Sequence, residues 1–192
     1  MSENLSKGGD MLTKEERSVL LKLARDTIHA KLYGENLPPI DSSSPVLSEP
    51  RGAFVTLHKY GRLRGCIGYV EAIKPLYKTV QEMAIAAAFQ DPRFPGLTES
   101  EFDDIDVEIS VMSPLEKIAD VKKIEVGKHG IIIKRGFNSG LLLPQVATEQ
   151  GWDRDTFLEH TCYKAGLPGD CWKKPGTEIT VFTAEVFSEK EY

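Results

Sequence analysis

The chain has 192 residues, 41% of them hydrophobic and 28% charged, which is enough apolar material for one large or two small cores, with a single compact unit as the default expectation. A formal net charge of -5 argues against general attraction to nucleic acid or anionic membranes, although Arg62, Arg64 and Arg93 leave room for a local basic patch. No apolar run approaches the roughly 18 residues of a membrane span, and the first residues lack the charged and apolar regions of a secretory signal, so a cytoplasmic protein is expected.

Residues 1–12, polar and glycine-containing up to Met11, read as a disordered lead-in, which sets the expected domain at residues 13–192. Thr13 and Glu16 form a capping box ahead of Leu20, Leu23, Ala24, Ile28 and Leu32, which recur at helical spacing until Gly34. Pro38, Pro39, Pro45 and Pro50 then predict an extended surface connection without regular structure. Ala53, Val55 and Leu57 alternate with polar residues, Tyr60-Gly61 offers a turn, and a return strand through Tyr69 completes a hairpin. From Pro75, the stripe Leu76, Val80, Met83, Ala84, Ala87 and Ala88 predicts a second helix, ended by Asp91-Pro92. Thr98 and Glu101 cap a short helix, and Ile105, Val107, Ile109 and Val111 alternate as a half-buried strand.

The same order then recurs. Gly130 to Arg135, the turn Phe137 to Gly140, and Leu141 to Leu143 read as a hairpin; Pro144 opens a short helix that Gly151 closes; Asp153 caps another bearing Phe157, Leu158, Cys162 and Ala165; and Glu178 to Phe187 is a final strand. Two hairpin, helix, helix, strand repeats, at about residues 51–112 and 129–188, predict an α+β fold. Its strands are expected to form one largely antiparallel, strongly curved sheet, with the helices packed outside on its apolar face.

The chemically densest stretch is Arg62-Leu63-Arg64-Gly65-Cys66-Ile67-Gly68. Glycine inside a strand marks a bulge, or the close approach of another chain segment or a ligand. Cys66 is either a small buried hydrophobe or a thiol nucleophile, and in the second case Arg64, on the same face if the strand is regular, and Arg93 would favour its thiolate. Glu108 or His129 would then serve as base. Glu108 shares its face with Asp104 and Asp106, which suits solvent equally, and His129 before Gly130 suits a hydrogen-bonded turn. Arg93 is readable as a bidentate anion ligand or as a loop pin. Three cysteines, Cys66, Cys162 and Cys171, are too few for a disulfide scaffold and fit a reducing compartment, with at least one thiol unpaired. Cys162 shares its helix face with Leu158 and Ala165 and is expected in the core; neither a zinc nor an iron-sulfur spacing is present.

Leu63 to Gly68, together with Asp91-Pro92-Arg93-Phe94-Pro95, His129-Gly130-Ile131, Leu143-Pro144-Gln145-Val146-Ala147 and Glu149-Gln150-Gly151-Trp152-Asp153, resembles the AMMECR family along nearly the whole chain. Gly96 departs from it where members commonly carry a second proline. The resemblance implies an α+β fold of two repeats around a barrel-like sheet, and work beside Memo-like or radical-SAM proteins in modification of nucleic acid or another macromolecule. Together the readings predict an accessory or binding domain without cofactor, whose cleft, rimmed by Arg64, Gly65, Cys66 and Arg93, takes a polar or anionic group of a small molecule or macromolecule. The alternatives are an enzyme using Cys66 with Glu108 or His129, and an RNA-binding module.

Overall fold

The computed structural model describes residues 12–40 and 44–192, so all of the expected lead-in but its last residue lies outside the described residues. Leu12 is already packed in the core, its N–H donating to Glu185 Oε2 at 3.2 Å. The chain forms two compact units, one of residues up to Met112 with Glu185–Tyr192, the other of Ser113–Ala184. Both mix helices with antiparallel strands, so the fold class is α+β. Among the described residues no helix is long and apolar enough to cross a membrane.

In the first unit, α1 (Lys14–Tyr33) begins at the Thr13–Glu16 capping box and stops at Gly34, whose φ of 67° is a left-handed conformation that glycine adopts without strain. A short helix, α2 (Pro45–Ser48), interrupts the proline-rich connection that was expected to be irregular; Pro45 at its first turn has no N–H to lose there. Strands β1 (Ala53–Lys59) and β2 (Arg62–Tyr69) join through Tyr60-Gly61, both at positive φ, the geometry of a tight two-residue hairpin turn. After α3 (Leu76–Phe89) and a 3-10 turn (Glu99–Asp104), strand β3 (Ile105–Met112) pairs with β1 to give the order β2-β1-β3. Val55, Leu57, Val107 and Ile109 bury one sheet face in a core with Leu20, Ile28, Leu76 and Val80 of the helices. Each such fully buried side chain contributes about 1.5–3 kcal/mol. Phe187 completes that core.

In the second unit, β5 (His129–Arg135) and β6 (Asn138–Leu142) form a hairpin, and the first part of β7 (Glu178–Ser188) lies between β5 and β4 (Glu116–Ile118). The turn falls at Gly136-Phe137 rather than over Phe137–Gly140 as expected, because Gly136 supplies the positive φ and Arg135 pairs with Asn138. Helices α4 (Pro144–Gln150) and α5 (Arg154–Lys164) follow, with Phe157 and Leu158 packed on Ile131, Ile133 and Val181.

The cysteines correct one expectation. Cys162 and Cys171, both fully buried, form a disulfide with Cα atoms 5.9 Å apart, linking α5 to the 3-10 turn Cys171–Lys173. Gly166, at a positive φ of 71°, turns the chain after α5, so the short segment between cysteines nine apart in sequence suffices for closure. Cys162 is therefore a cross-link as well as a core residue, and the cysteine pattern no longer argues for a reducing compartment.

Candidate functional site

Strand β2 is the edge of the first unit's sheet, and its middle is where the chemistry gathers. Cys66 pairs in register with Thr56 of β1, and Thr56 in turn with Glu108 of β3, so the three residues stand in one row on one face. Residues one place along on β1, Val55 and Leu57, are fully buried among the helices, which puts the row on the opposite face. Cys66 and Glu108 are partly exposed, and Thr56 Oγ1 donates to Cys66 Sγ at 3.2 Å. Beyond Glu108, a hollow of about 180 Å³ is lined by His58, Asp106, Glu108, Ser188 and Lys190. Asp106 is neutralised by Lys190 at 2.8 Å.

Among the described residues no strand lies beside the outer edge of β2 at Cys66, and the loop after α3 takes that place. Asp91, 4% exposed, accepts the Cys66 N–H at 2.9 Å, while Arg93 Nη2 donates to the Cys66 carbonyl at 3.2 Å. The two side chains also bind each other, Arg93 Nε and Nη2 reaching the carboxylate at 2.9 and 2.7 Å and the Arg93 N–H adding a third contact at 3.1 Å. This clasp satisfies both backbone groups of Cys66 as a neighbouring strand would, and blunts the edge against other chains. The bidentate hydrogen bond from Arg93 holds the Asp91 carboxyl far below the usual carboxylate range, and Asp91 raises Arg93 in return. Arg93 nevertheless keeps a side chain 53% exposed.

Arg64 takes its hydrogen bonds away from Cys66, although its guanidinium lies over the same Phe94 ring as that of Arg93, at 5.9 against 5.6 Å from the centroid. The register passes from Leu57–Gly65 to His58–Leu63, leaving Arg64 as the extra residue of a β-bulge. A bulge breaks the alternation of a strand and re-aims its side chain, so the regular-strand condition that would have set Arg64 beside Cys66 is not met. Its guanidinium instead grips Glu101 of the 3-10 turn through Nε at 3.1 Å and Nη2 at 3.0 Å, and Lys59 shares that acid at 3.1 Å. The hydrogen bonds from Arg64, foremost, and from Lys59 keep the Glu101 carboxyl far below its ordinary range.

Gly65 has a packing role. A Cβ there would lie 2.1 Å from the carbonyl oxygen of Ala87 on α3, so the close approach belongs to a chain segment. Gly140 on β6 stands in the same relation to α5, 2.4 Å from the N of Ala165.

The sequence profile of the AMMECR1 family matches residues 21–187. The chain belongs to that family. It is similar to proteins of Methanopyrus kandleri, 50% identical over 95% of this chain and 93% of the relative, and of Methanothermobacter thermautotrophicus, 50% identical over 93% and 96%. Among solved structures it is similar to an uncharacterized protein of Pyrococcus horikoshii, with a TM-score of 0.76 and 44% identity over 89% of this chain and 90% of that one.

Of the six residues that the sequence singles out in this AMMECR1 protein, Cys66, Glu108 and Arg93 thus gather about one sheet, whereas Arg64 and Gly65 face other partners. His129 lies in the second unit at the start of β5, where its Nδ1 accepts the Glu125 N–H at 3.0 Å as part of the turn. Asp91 and Thr56, which touch Cys66 directly, were missed as site residues. Asp91 was read as a helix terminator, although Asp91-Pro92-Arg93 places opposite charges two residues apart in a loop.

Proposed function

We propose that this AMMECR1 protein is a binding domain whose ligand lies along the row on the first unit's non-helical face. Arg93 holds one end of the ligand and Glu108 the other, with Cys66 between them. The observation that carries this reading is the alignment of Arg93, Cys66, Thr56 and Glu108 across the sheet: a guanidinium donor, a thiol, a hydroxyl and a carboxylate acceptor at successive positions. Strands spaced at about 4.8 Å put the carboxylate roughly 10 Å from the thiol position at the Cα level. With Arg93 on the outer side of Cys66, the row fits a small molecule or chain segment longer than that span, with an oxygen acceptor at one end and an N–H or cationic group at the other. Because Asp91 already balances Arg93, the guanidinium offers hydrogen bonds more than net charge. The family resemblance supplies the context, work beside Memo-like or radical-SAM proteins on a macromolecule.

The second reading is an enzyme with Cys66 as nucleophile, favoured by the Thr56 hydroxyl on its sulfur. Among the described residues no carboxylate or imidazole is hydrogen-bonded to Sγ, so the base would have to act through a bound molecule. An RNA-binding role has weaker support, since the row carries one half-neutralised arginine.

The test is a screen of amino acids, nucleotides and small carboxylates for protection of Cys66 from iodoacetamide, read by the mass of the intact chain. A protecting compound should lose protection in Glu108→Ala and Arg93→Ala, and should still bind Cys66→Ser by calorimetry. Binding unaffected by both row substitutions contradicts the reading, and a covalent adduct lost in Cys66→Ser replaces it with the enzyme.

A further inference from the structure

We propose that a hollow at the tip of the β1–β2 hairpin is an oxyanion site, taking a carboxylate or phosphate group on the guanidinium edge of Arg64 that Glu101 leaves free. The inference is independent of the reading above, since none of its residues belongs to the Cys66 row. The hollow, of about 500 Å³, is lined by Lys59, Tyr60, Arg62, Leu63 and Arg64: three cations and no carboxylate. Arg64 is 7% exposed, and among the described residues its buried Nη1 has no hydrogen-bond partner. Buried N–H donors are rarely left unpaired.

The geometry says which group is missing. Glu101 occupies the Nε and Nη2 side of the Arg64 fork, which leaves Nη1 with the second proton of Nη2 as an intact edge. Two parallel N–H groups on that edge match a second oxyanion bidentately. The arginine is held ready for it, because Glu101 is itself fixed by the Thr98 N–H at 3.2 Å, the Thr98 hydroxyl at 3.1 Å and Lys59 at 3.1 Å.

Charge points the same way. Lys59, Arg62 and Arg64 stand against Glu101 and Asp104, three against two, so the cluster carries a net +1 that an anion would balance. Arg62 is exposed and lines the same hollow. Tyr60, 75% exposed, and Leu63, 42% exposed, add an aromatic face and an aliphatic wall. The ligand class is therefore a carboxylate or phosphate monoester joined to a flat or apolar body.

The test uses the full chain labelled with ¹⁵N at low ionic strength, titrated separately with inorganic phosphate, phenyl phosphate and benzoate. Saturable shifts are expected at the amides of Tyr60, Arg62, Leu63 and Arg64 and at Arg64 Nε–H, with phenyl phosphate or benzoate binding more tightly than phosphate alone. Whichever of those two is tighter identifies the anionic head. Arg62→Gln, an exposed change that leaves the Glu101 pair intact, should weaken binding about fivefold or more. Arg64→Lys, which keeps the charge but removes the second edge, should weaken it about tenfold or more. Absence of saturable shifts with all three probes overturns the proposal, and so does affinity unchanged in Arg62→Gln, whether or not Arg64→Lys folds.

Discussion

Asp91→Asn should cost stability far beyond what its size suggests. In the native protein the Asp91 carboxylate accepts four N–H groups, from Cys66, from the Arg93 backbone, and from Arg93 Nε and Nη2. An asparagine has a single acceptor oxygen, so one side of the group must present an NH₂ to donors. If the oxygen stays with Arg93 Nε, the Cys66 N–H loses its partner, at about 1–3 kcal/mol for an unsatisfied donor. The lost ion pair adds at most about 1 kcal/mol, because Arg93 is half exposed and water screens it. The sum, about 1–4 kcal/mol, is a large share of the roughly 5–15 kcal/mol that holds a domain folded. Urea unfolding followed by circular dichroism reads it directly, and a loss below about 0.5 kcal/mol would refute the reasoning. The pH dependence gives a second handle. Asp91 titrates lower when folded than unfolded, so its contribution is complete above the unfolded value of about 4 and is lost as pH falls below it. Glu101 behaves likewise. Between pH 4 and 3 each group removes up to about 1.4 kcal/mol per pH unit, and Asp91→Asn should remove the Asp91 share of that slope.

Gly65→Ala should destabilise by about 3 kcal/mol or more in the same assay, since its Cβ would meet a helix carbonyl at 2.1 Å and the obstacle is backbone. Gly140→Ala should do the same in the second unit, where the obstacle is the Ala165 N at 2.4 Å. With Cys162 and Cys171 bonded, a thiol titration of the unreduced chain in denaturant should find one thiol, and three would contradict the disulfide. Replacing both cysteines by alanine should cost about 2–4 kcal/mol, seen as a lower urea midpoint. Thr13→Ala should cost about 1 kcal/mol by removing the cap of α1, a loss absent if the first turn frays in the native protein.

How much of this was legible in sequence depends on how local each feature is. The Thr13–Glu16 and Thr98–Glu101 capping boxes, the Tyr60-Gly61 turn and the alternation in β1 and β3 are written within a few residues, and the structure has each of them. The short helix α2 and strand β4 were not foreseen, since four and three residues carry no readable period. At the site, Glu108 entered as a candidate, but its alignment with Cys66 depends on the register of three strands, two of them some forty residues apart in sequence. Gly65 within the strand pointed to a bulge or a close approach, and both are found there, but which residue is the extra one is not written in the pattern, because Leu63 and Gly65 fit either face equally well. The Asp91–Arg93 clasp and the Cys162–Cys171 bond are both contacts that local sequence does not announce, made by residues with another plausible use nearby.

The account depends most on Cys66 being reachable from solvent in the folded protein, and the rate of its alkylation by iodoacetamide across sub-denaturing urea measures that. A thiol on the open row should react at a rate nearly flat in urea, well below the unfolding transition. A rate that climbs with urea along the slope of global unfolding would mean that the sulfur is sealed and that the row binds nothing.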